Sequence, residues 1–168
     1  QNPLPQGNTL IDVEFVGNGV AIACGEAGTI LRSTNNGIDW DILRNDSAWN
    51  NSSIDFYDAN TGWVISTYNS SSHIMKSTNA GINWNVISII PGADAYDINF
   101  VTIDTGYASV RSGAGGYIYK TTNSGYNWSS VFYYSGSWIY STYFVNNLTG
   151  FICGSFGINK TSNAGLNW

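Results

Sequence analysis

The chain has 168 residues, of which 10% are charged and 15% are aromatic, with 19 glycines and 3 prolines. Its formal net charge is −5, and it contains only 6 lysine and arginine residues. So few cations argue against nucleic-acid binding, and no apolar run approaches the roughly 20 residues that a membrane-inserted helix needs. The composition favours an all-β protein, because aromatic residues suit strands while glycine and asparagine suit tight turns.

Residues 1–9 form an N-terminal lead-in with no strand pattern. The chain opens Gln1-Asn2-Pro3 without an initiator methionine, so we expect the numbering to start after a processed leader. From residue 10 onward, apolar and acidic residues alternate, which predicts a half-buried first strand with its apolar face in the core. The apolar residues are Ile11, Val13 and Phe15, and the acidic ones are Asp12 and Glu14.

Three more strands are predicted within each repeat. The second strands span 19–24, 62–67, 106–111 and 150–154, and the third strands span 29–33, 73–77, 117–121 and 157–161. The fourth strand begins at a tryptophan, as at Trp84. Four short strands in about 42 residues are typical of a β-propeller blade.

An eight-residue motif, Ser/Thr-x-Asn-x-Gly-x-x-Trp, marks each repeat. Its copies occupy residues 33–40, 77–84, 121–128 and 161–168, and their tryptophans stand 44, 44 and 40 residues apart. A Gly-aromatic pair runs in the same phase. Its copies are Gly62-Trp63, Gly106-Tyr107 and Gly150-Phe151, with Gly19-Val20 as a weaker first copy. A phenylalanine stands six residues before each glycine, at Phe56, Phe100 and Phe144, and Phe15 takes this role two residues closer to Gly19.

The motif supplies the groups that close a turn between the third and fourth strands. We expect the glycine to adopt a positive φ, the asparagine side chain to accept backbone N–H groups, and the indole to pack on the hairpin with its N–H on a carbonyl. The structural turn residues are Asn35, Gly37, Trp40, Asn79, Gly81, Trp84, Asn123, Gly125, Trp128, Asn163, Gly165 and Trp168.

This motif resembles the Asp-box, or bacterial neuraminidase repeat, Ser-x-Asp-x-Gly-x-x-Trp. The Asp-box is found in sialidases, sortilin-type receptors, some glycoside hydrolases and photosystem II assembly (stability) factors. The second strand, as in Asn60-Thr61-Gly62-Trp63-Val64, looks most similar to that of the assembly factors. The resemblance implies a β-propeller over residues 10–168 and is almost silent on function. All four copies carry asparagine in place of aspartate, which keeps the acceptor oxygen but not the charge.

The repeats predict four blades at about 10–52, 53–94, 95–137 and 138–168. The last blade is expected to be incomplete, because the chain stops at Trp168, where a fourth strand should begin. We therefore expect a larger propeller, or a unit that another chain completes. An open blade edge favours self-association.

No catalytic residue, metal site or cofactor is predicted. A sialidase needs three converging arginines, and the chain contains only Arg32, Arg44 and Arg111. A glycosidase needs two carboxylates in one groove. The candidates on first strands are Asp12, Glu14, Asp55 and Asp97, which either face a shared channel or lie on a solvated face. His73 is the single histidine, and Cys24 and Cys153 are expected to be buried free thiols.

Four cations share one repeat position, directly before the motif: Arg32, Lys76, Lys120 and Lys160. They could form an array for an anionic partner. Because they recur with the motif, they are better interpreted as aliphatic stems that cover apolar surface with the charge in water.

Aromatic residues outside the repeat are the candidates for binding. Trp49 lies in a polar stretch between the first two blades, and Tyr133, Tyr134 and Trp138 cluster between the last two. Such residues can anchor a protein or a glycan partner. The alternative is packing in the core or between blades, because Trp138 and Tyr140 continue the apolar face of a predicted first strand. Tyr96 lies on the same face of the first strand in blade three.

The function predicted from the sequence is a non-catalytic, secreted or cell-surface propeller that serves as a protein- or glycan-interaction module or as a structural module. The extracellular location follows from the low lysine and glutamate content and the many asparagine, serine and tyrosine residues. Three alternatives remain: a carbohydrate-active enzyme (a glycoside hydrolase fragment), an assembly factor similar to the photosystem II factors, and a subunit of an extracellular filament.

Overall fold

A computed structural model describes residues 7–168, so most of the predicted lead-in lies outside it. These residues form fifteen strands in four sheets. The first sheet contains β1 (Leu10–Gly17), β2 (Val20–Gly25), β3 (Ile30–Ser33) and β4 (Asp41–Arg44). The second contains β5 (Asn50–Phe56), β6 (Gly62–Tyr68), β7 (Ser71–Ser77) and β8 (Asn85–Ile90). The third contains β9 (Asp94–Phe100), β10 (Gly106–Ser112), β11 (Gly115–Thr121) and β12 (Ser129–Ser135). The fourth contains β13 (Ile139–Phe144), β14 (Gly150–Gly154) and β15 (Gly157–Thr161).

Each sheet is an antiparallel meander whose strands pair in sequence order. This confirms the predicted all-β propeller with four blades, the last of which has three strands and is incomplete. Within residues 7–168, no helix is long and apolar enough to span a bilayer.

The blades stack in order along the chain around their first strands, since β1 contacts β5, β5 contacts β9 and β9 contacts β13. Each blade therefore has a leading face, turned towards the preceding blade, and a trailing face, turned towards the following one. Three apolar clusters fill the spaces between consecutive blades. In the first of these spaces, Ile22 and Ile30 from the trailing face of blade one meet Ile54 and Met75 from the leading face of blade two.

The predicted orientation of β1 is wrong. Val13 and Phe15 are 63% and 61% exposed, while Asp12 and Glu14 are half-buried. The apolar side chains lie on the leading face, which no blade covers in residues 7–168, and the acids point towards blade two. In a propeller both faces of a sheet meet neighbouring blades, so alternation alone does not say which face is buried.

The first copy of the Gly-aromatic pair is also misplaced. Strand pairing puts Ala21 and Ile22 opposite Ser33 and Arg32, as Gly62 and Trp63 lie opposite Ser77 and Lys76. Gly19 instead lies in the preceding turn with φ 78°. Phe15 therefore stands six residues before its partner Ala21, in phase with the other blades.

Steric contact explains why the other three blades require glycine at this position. A Cβ atom at Gly62 would lie 2.6 Å from the Phe56 ring, and the distances at Gly106 and Gly150 are 2.8 and 2.6 Å. In blade one the Phe15 ring is exposed, so alanine is tolerated at position 21.

The box turns have the predicted chemistry. In blade two, Gly81 N donates to Ser77 Oγ (3.0 Å), Asn83 N donates to Asn79 Oδ1 (2.9 Å), and Trp84 Nε1 donates to Gly81 O (2.9 Å). The other three turns repeat these bonds. All four motif glycines have φ between 74° and 88°. Asparagine thus supplies the acceptor that the Asp-box takes from aspartate.

We predict that Asn79→Ala lowers the free energy of unfolding by about 1 kcal/mol, because Asn83 N and Ser77 Oγ lose their acceptor. Asn79→Asp keeps an acceptor oxygen in place and should change stability by less than about half that amount. Urea denaturation of both variants measures the difference. Equal losses in the two variants would show that the acceptor oxygen is not what holds the turn.

The two cysteines are free, but only Cys24 is buried. The expectation that both are buried is wrong for Cys153, which lies on the trailing face of blade four. Both occupy the same position of the second strand, so the difference arises because blade two covers Cys24, whereas no blade within residues 7–168 covers Cys153.

Candidate functional site

The four candidate binding aromatics lie at one end of the blades. Trp49 and Trp138 directly precede the first strands β5 and β13, while Tyr133 and Tyr134 lie near the end of the fourth strand β12. In an antiparallel four-stranded meander, the first strand begins where the fourth one ends. Adjacent first strands run in the same direction, since successive acids of β1 bond to successive positions of β5. We call this the loop end; the Asp-box turns lie at the opposite, box end.

Trp49 is held in a cluster of its own. Its ring stacks on Tyr68 with centroids 4.7 Å apart, and His73 contacts it edge-on at 4.9 Å. The guanidinium of Arg44 lies 4.5 Å from the centroid of the same ring. Because three side chains of the same chain pack against its ring, Trp49 is held in one position at the junction of blades one and two.

A more exposed group occupies the loop end of blades three and four. Trp138 and Tyr140 are 38% and 45% exposed. The guanidinium of Arg111 lies 4.9 Å from the Trp138 ring centroid and also pairs with Asp94, with 2.6 Å between Nη2 and Oδ2. Tyr140 contacts Tyr96 edge-on at 5.6 Å. We call Tyr96, Arg111, Trp138 and Tyr140 the aromatic patch.

A bulge in every first strand shapes the patch. The register of pairing shifts once near the start of β1, β5, β9 and β13. The bulged residues are Ile11, Ser52, Tyr96 and Tyr140. A bulge redirects the side chain of its extra residue. In blades three and four it brings two tyrosines together next to the axis of the propeller.

Sequence reasoning found Trp138 but missed Tyr96, Tyr140 and Arg111 as members of one site. It assigned Tyr96 and Tyr140 to the apolar face of a strand, because a bulge has no simple sequence pattern. The available signal was their spacing, since a tyrosine recurs 44 residues later at the same repeat position.

Tyr133 and Tyr134, the other two residues predicted to bind a partner, differ in exposure. Tyr133 is exposed, and its ring contacts Tyr117 at 4.6 Å. Tyr134 is half-buried and stacks on Phe156 of blade four at 4.3 Å. Tyr133 thus offers surface at the outer side of the loop end, while Tyr134 helps to join blades three and four.

Acidic and amide side chains on the first strands fasten each blade to the next. Asp12 Oδ2 accepts Ile54 N at 2.9 Å, and Glu14 Oε2 accepts Phe56 N at 2.7 Å. Later blades repeat this bond from Phe100 N to Asp55 Oδ2 (2.5 Å), from Thr142 N to Asp97 Oδ2 (2.6 Å) and from Phe144 N to Asn99 Oδ1 (2.9 Å). Each bond satisfies a backbone donor that the blade's own sheet leaves unpaired. These side chains are therefore bonded between blades and do not stand on a freely solvated face.

Burial raises the pKa of three of these carboxyl groups, those of Glu14, Asp55 and Asp97. Desolvation, together with the charge of Asp55, raises the pKa of Glu14 from 4.5 to about 8, although the bond from Phe56 N opposes the shift. Desolvation likewise raises the pKa of Asp55 to about 6 and raises that of Asp97. The junctions between the first strands thus hold three acids, Glu14, Asp55 and Asp97, that keep a proton to higher pH than an exposed carboxyl group does.

We predict that stability falls as the pH rises from about 5 to about 8.5, because the folded state holds the Glu14 proton to higher pH than the unfolded chain does. The folded pKa lies above the unfolded one, so this loss is spread over the window between 4.5 and about 8. Glu14→Gln keeps an acceptor for Phe56 N without the charge. It should be more stable than the parent at pH 8.5 by about 1 kcal/mol, after allowance for solvent screening of a half-buried group.

Urea denaturation midpoints of the parent and of Glu14→Gln, measured at about pH 5 and about pH 8.5, test this prediction. Asp58→Asn is the control, because Asp58 is exposed and its pKa is lowered by bonds from Asn60 N and Thr61 N. That variant should keep the parent's slope across the window. An unchanged slope in Glu14→Gln would contradict the prediction.

The four repeated cations lie over the trailing faces. Their Nζ atoms lie 5.1 Å from the Trp63 ring centroid for Lys76, 5.2 Å from Tyr107 for Lys120 and 5.9 Å from Phe151 for Lys160. Arg32 Nε instead donates to Ala80 O of blade two at 2.9 Å. The three lysines thus lie over apolar rings, as the covering role predicts, whereas Arg32 departs from it because its guanidinium binds a carbonyl of the next blade and not water.

The sequence profile of the family described as photosynthesis system II assembly factor YCF48 matches residues 1–137. The chain belongs to this family. No curated protein shows significant sequence similarity to it. The match agrees with the resemblance found in the Asp-box and in the Gly-aromatic second strands.

Solved structures share the propeller fold with this YCF48-family chain. A structure titled YCF48 bound to D1 peptide has a TM-score of 0.71 and 19% identity, covering 90% of this chain and 50% of that one. YCF48 from Cyanidioschyzon merolae has a TM-score of 0.63 and 16% identity, covering 96% and 69%. A GH74 enzyme from Niastella koreensis has a TM-score of 0.77 and 15% identity, covering 96% and 29%. This chain therefore spans half of the YCF48 chain that carries the D1 peptide.

The predicted extracellular or cell-surface location is wrong. An assembly factor of photosystem II, as the family is described, works on a complex inside the photosynthetic cell and not outside it. The composition misled the prediction, because asparagine and serine are abundant here as turn-forming residues of the repeat and carry no information on compartment.

Proposed function

We propose that this chain is a non-catalytic assembly factor that binds a peptide segment of a protein partner at the aromatic patch. The observation that carries the proposal is the exposure of Trp138 and Tyr140 beside the axis, held by Arg111 and Tyr96. Tryptophan, tyrosine and arginine are the residues that contribute most to protein interfaces when they lie on a rigid support. The YCF48 structure with a D1 peptide supports a peptide ligand for a propeller of this family.

The chemistry of the patch favours a segment with apolar or aromatic side chains. Arg111 already pairs with Asp94 at 2.6 Å, so its charge is largely neutralised within the chain. The rings then offer apolar faces, and the tyrosine hydroxyls offer hydrogen bonds to a peptide backbone. Tyr133 extends this surface outwards, whereas Trp49 and Tyr134 contribute mainly by holding the loop end rigid.

The bonding of the channel carboxylates supports the non-catalytic part of the proposal. Glycoside hydrolysis needs one carboxyl group as an acid and a second as a base or nucleophile, both facing the sugar. Here Glu14 and Asp55 each accept a backbone N–H of the next blade. The similarity to GH74 enzymes is at the level of fold, with 15% identity.

Fluorescence anisotropy with a labelled synthetic D1 peptide tests the proposal. We expect saturable binding, and Trp138→Ala should weaken it by about thirtyfold, because a hot-spot side chain contributes at least about 2 kcal/mol. Tyr126→Ala is the matched control, because Tyr126 is exposed at the box end, and it should bind as the parent does. Absent binding, or equal weakening in both variants, would refute the proposal.

A hydrolysis assay on soluble glucans distinguishes the proposed peptide-binding function from the alternative of a glycoside hydrolase. Under the proposal, neither the parent chain nor Asp55→Asn releases reducing sugar. Hydrolysis by the parent that Asp55→Asn abolishes would assign the channel carboxylates to catalysis instead.

A further inference from the structure

The junction between blades one and two departs from the repeat at its outer rim. Every complete blade has one bulged residue in its fourth strand, namely Leu43 in β4, Ile87 in β8 and Val131 in β12. Ile87 packs in the apolar cluster between blades two and three, and Val131 packs in the one between blades three and four. Leu43 belongs to none of the three clusters formed within residues 7–168, and it is 38% exposed.

The contacts of the box glycines show the same difference. A Cβ atom at Gly125 would lie 3.2 Å from Ile87 Cδ1, so the bulged side chain of blade two covers the box turn of blade three. At Gly81 the three nearest atoms belong to Ile22 and Phe56. The bulged leucine of blade one therefore does not cover the box turn of blade two.

The residue after the bulge accounts for this departure. Ser88 occupies that position in blade two, and its Oγ donates to Gly125 O at 2.5 Å. Arg44 occupies it in blade one. Its guanidinium reaches into the junction, where it lies 4.5 Å from the centroid of the Trp49 ring and donates from Nη1 to Met75 Sδ at 2.6 Å. A long side chain thus takes the space between the blades, and the leucine beside it stays at the surface.

A groove of about 460 Å³ results at this rim. Leu43 and Arg44 form its wall on blade one, and Ile82 and Val86 belong to its wall on blade two. Ile82 and Val86 are 51% and 46% exposed. Both blades that form the groove are described, and any further blade would join beyond blade one or blade four. The groove therefore does not depend on where the sequence begins or ends.

Arg44 places a positive charge with spare hydrogen-bond donors beside the groove. Its one ion pair within residues 7–168 is with Asp46, at 4.0 Å between Nη2 and Oδ2. The one hydrogen bond that its side chain makes in this part of the chain goes to the sulfur of Met75, which is a weak acceptor. A guanidinium has five N–H donors in a fork that fits a carboxylate. The groove thus complements a carboxylate next to an aliphatic side chain.

The outer edge of β8 runs along the same groove. β8 is the outermost strand of blade two, and no strand among residues 7–168 pairs with its outer side. Charged side chains protect edge strands from the addition of another strand. β8 contains none, whereas β4 contains Asp41 and Arg44. Two of its aliphatic side chains, Val86 and Ile89, are 46% and 54% exposed. Such an edge can accept an extended peptide through main-chain hydrogen bonds.

We propose that this groove binds an extended peptide segment of a partner protein, which pairs with the outer edge of β8. The segment places an aliphatic side chain against Leu43 and Val86 and a carboxylate on Arg44. Main-chain hydrogen bonds supply affinity, and the two side-chain contacts supply specificity. This site is separate from the aromatic patch at the loop end of blades three and four. Its acidic ligand also differs from the apolar or aromatic segment proposed for the patch.

Selection from a displayed library of random peptides of about eight residues, the length of a strand, tests the proposal. The target is the Trp138→Ala chain, so that the aromatic patch does not select the binders and a failure of the proposed function leaves this test unaffected. We expect the enriched peptides to share aliphatic residues and at least one aspartate or glutamate. Absence of enrichment, or enriched peptides without a carboxylate, would overturn the proposal.

Variants of the groove locate the binding site of an enriched peptide. Fluorescence anisotropy should show at least about tenfold weaker binding to Arg44→Gln, which loses the charge, and to Leu43→Asp, which repels the carboxylate of the peptide. Ile42→Asp is the matched control. Ile42 is 43% exposed on the opposite face of β4, where it pairs with Leu31, and this variant should bind as the parent does. Circular dichroism verifies that each variant is folded. Equal weakening in Leu43→Asp and Ile42→Asp would refute the site.

Hydrogen exchange distinguishes strand addition from side-chain contact alone. With the enriched peptide bound, the outward amides of β8 should exchange at least about tenfold more slowly, because they become hydrogen-bonded. The equivalent edge strand of blade three, β12, is the internal control and should exchange at an unchanged rate. Unchanged exchange in β8 would show that the peptide does not pair with this edge.

Discussion

Trp63→Ala is expected to lower the free energy of unfolding by about 4 kcal/mol, the cost of emptying a fully buried tryptophan site. The indole does three things at the junction of blades two and three. It stacks on Phe100 at 3.5 Å, donates to Ser124 O at 2.9 Å, and carries Lys76 over its ring at 5.1 Å. Alanine removes all three contacts and leaves the carbonyl of Ser124 without its donor.

Trp63→Tyr is the matched variant, because tyrosine occupies the same repeat position in blade three. Tyr107 stacks on Phe144 and donates to Ala164 O there. Tyrosine at 63 should therefore cost only about 1 kcal/mol, mainly from its smaller volume. Chemical denaturation gives both values. Similar losses for tyrosine and alanine would mean that the junction depends on the size of the indole and not on the repeated stacking contact.

Asp97→Ala is expected to lower the free energy of unfolding by about 3 kcal/mol, the loss typical of removing the acceptor from several buried donors. The Asp97 carboxylate accepts four hydrogen bonds and connects the first strands of three blades. Its Oδ1 accepts Ser53 Oγ and Ile98 N, and its Oδ2 accepts Ser141 Oγ and Thr142 N. Those donors come from blades two, three and four, so one substitution loosens three blades.

Asp97→Asn separates shape from acceptor capacity. The amide has the same outline but a single acceptor oxygen, so it can satisfy only the donors on one side. Its expected cost is about half that of alanine, since each unsatisfied donor contributes separately. Denaturation midpoints of the three proteins measure the series. If Asp97→Asn is as stable as the parent, the hydroxyl groups of Ser53 and Ser141 have found other acceptors, and the Asp97 carboxylate is not needed to connect the blades.

The box turns show why local chemistry was predictable. Glycine at 81 supplies a positive φ, Asn79 supplies an acceptor oxygen and Trp84 reaches back to a carbonyl three residues away. All these contacts are within eight residues of one another. The sequence therefore contained every participant, and repetition at 44-residue steps identified the fold.

The orientation of β1 shows what local pattern leaves open. The alternating pattern places Val13 and Phe15 on the apolar face of β1, yet both side chains are exposed. Whether a face is buried in a propeller depends on the neighbouring blade. Nothing within the strand itself encodes that neighbour.

The aromatic patch was partly predictable for a related reason. Trp138 stood out because it lies outside the repeat, whereas Tyr96 and Tyr140 look like core residues of a regular strand. A bulge redirects both, and strand pairing between residues about 15 positions apart creates that bulge. The contact between the two rings then requires blades three and four to be adjacent.

By itself the sequence determined the repeat, the turn chemistry and the four blades within residues 10–168, because each of these rests on contacts between residues close together in the chain. Only the tertiary structure decided that Asp12, Glu14, Asp55 and Asp97 bond to the next blade, which faces stay uncovered, and which aromatics share the loop end. The bonds between blades join residues 42 to 45 positions apart. Their energies depend on burial and on backbone donors that only stacked blades bring into reach.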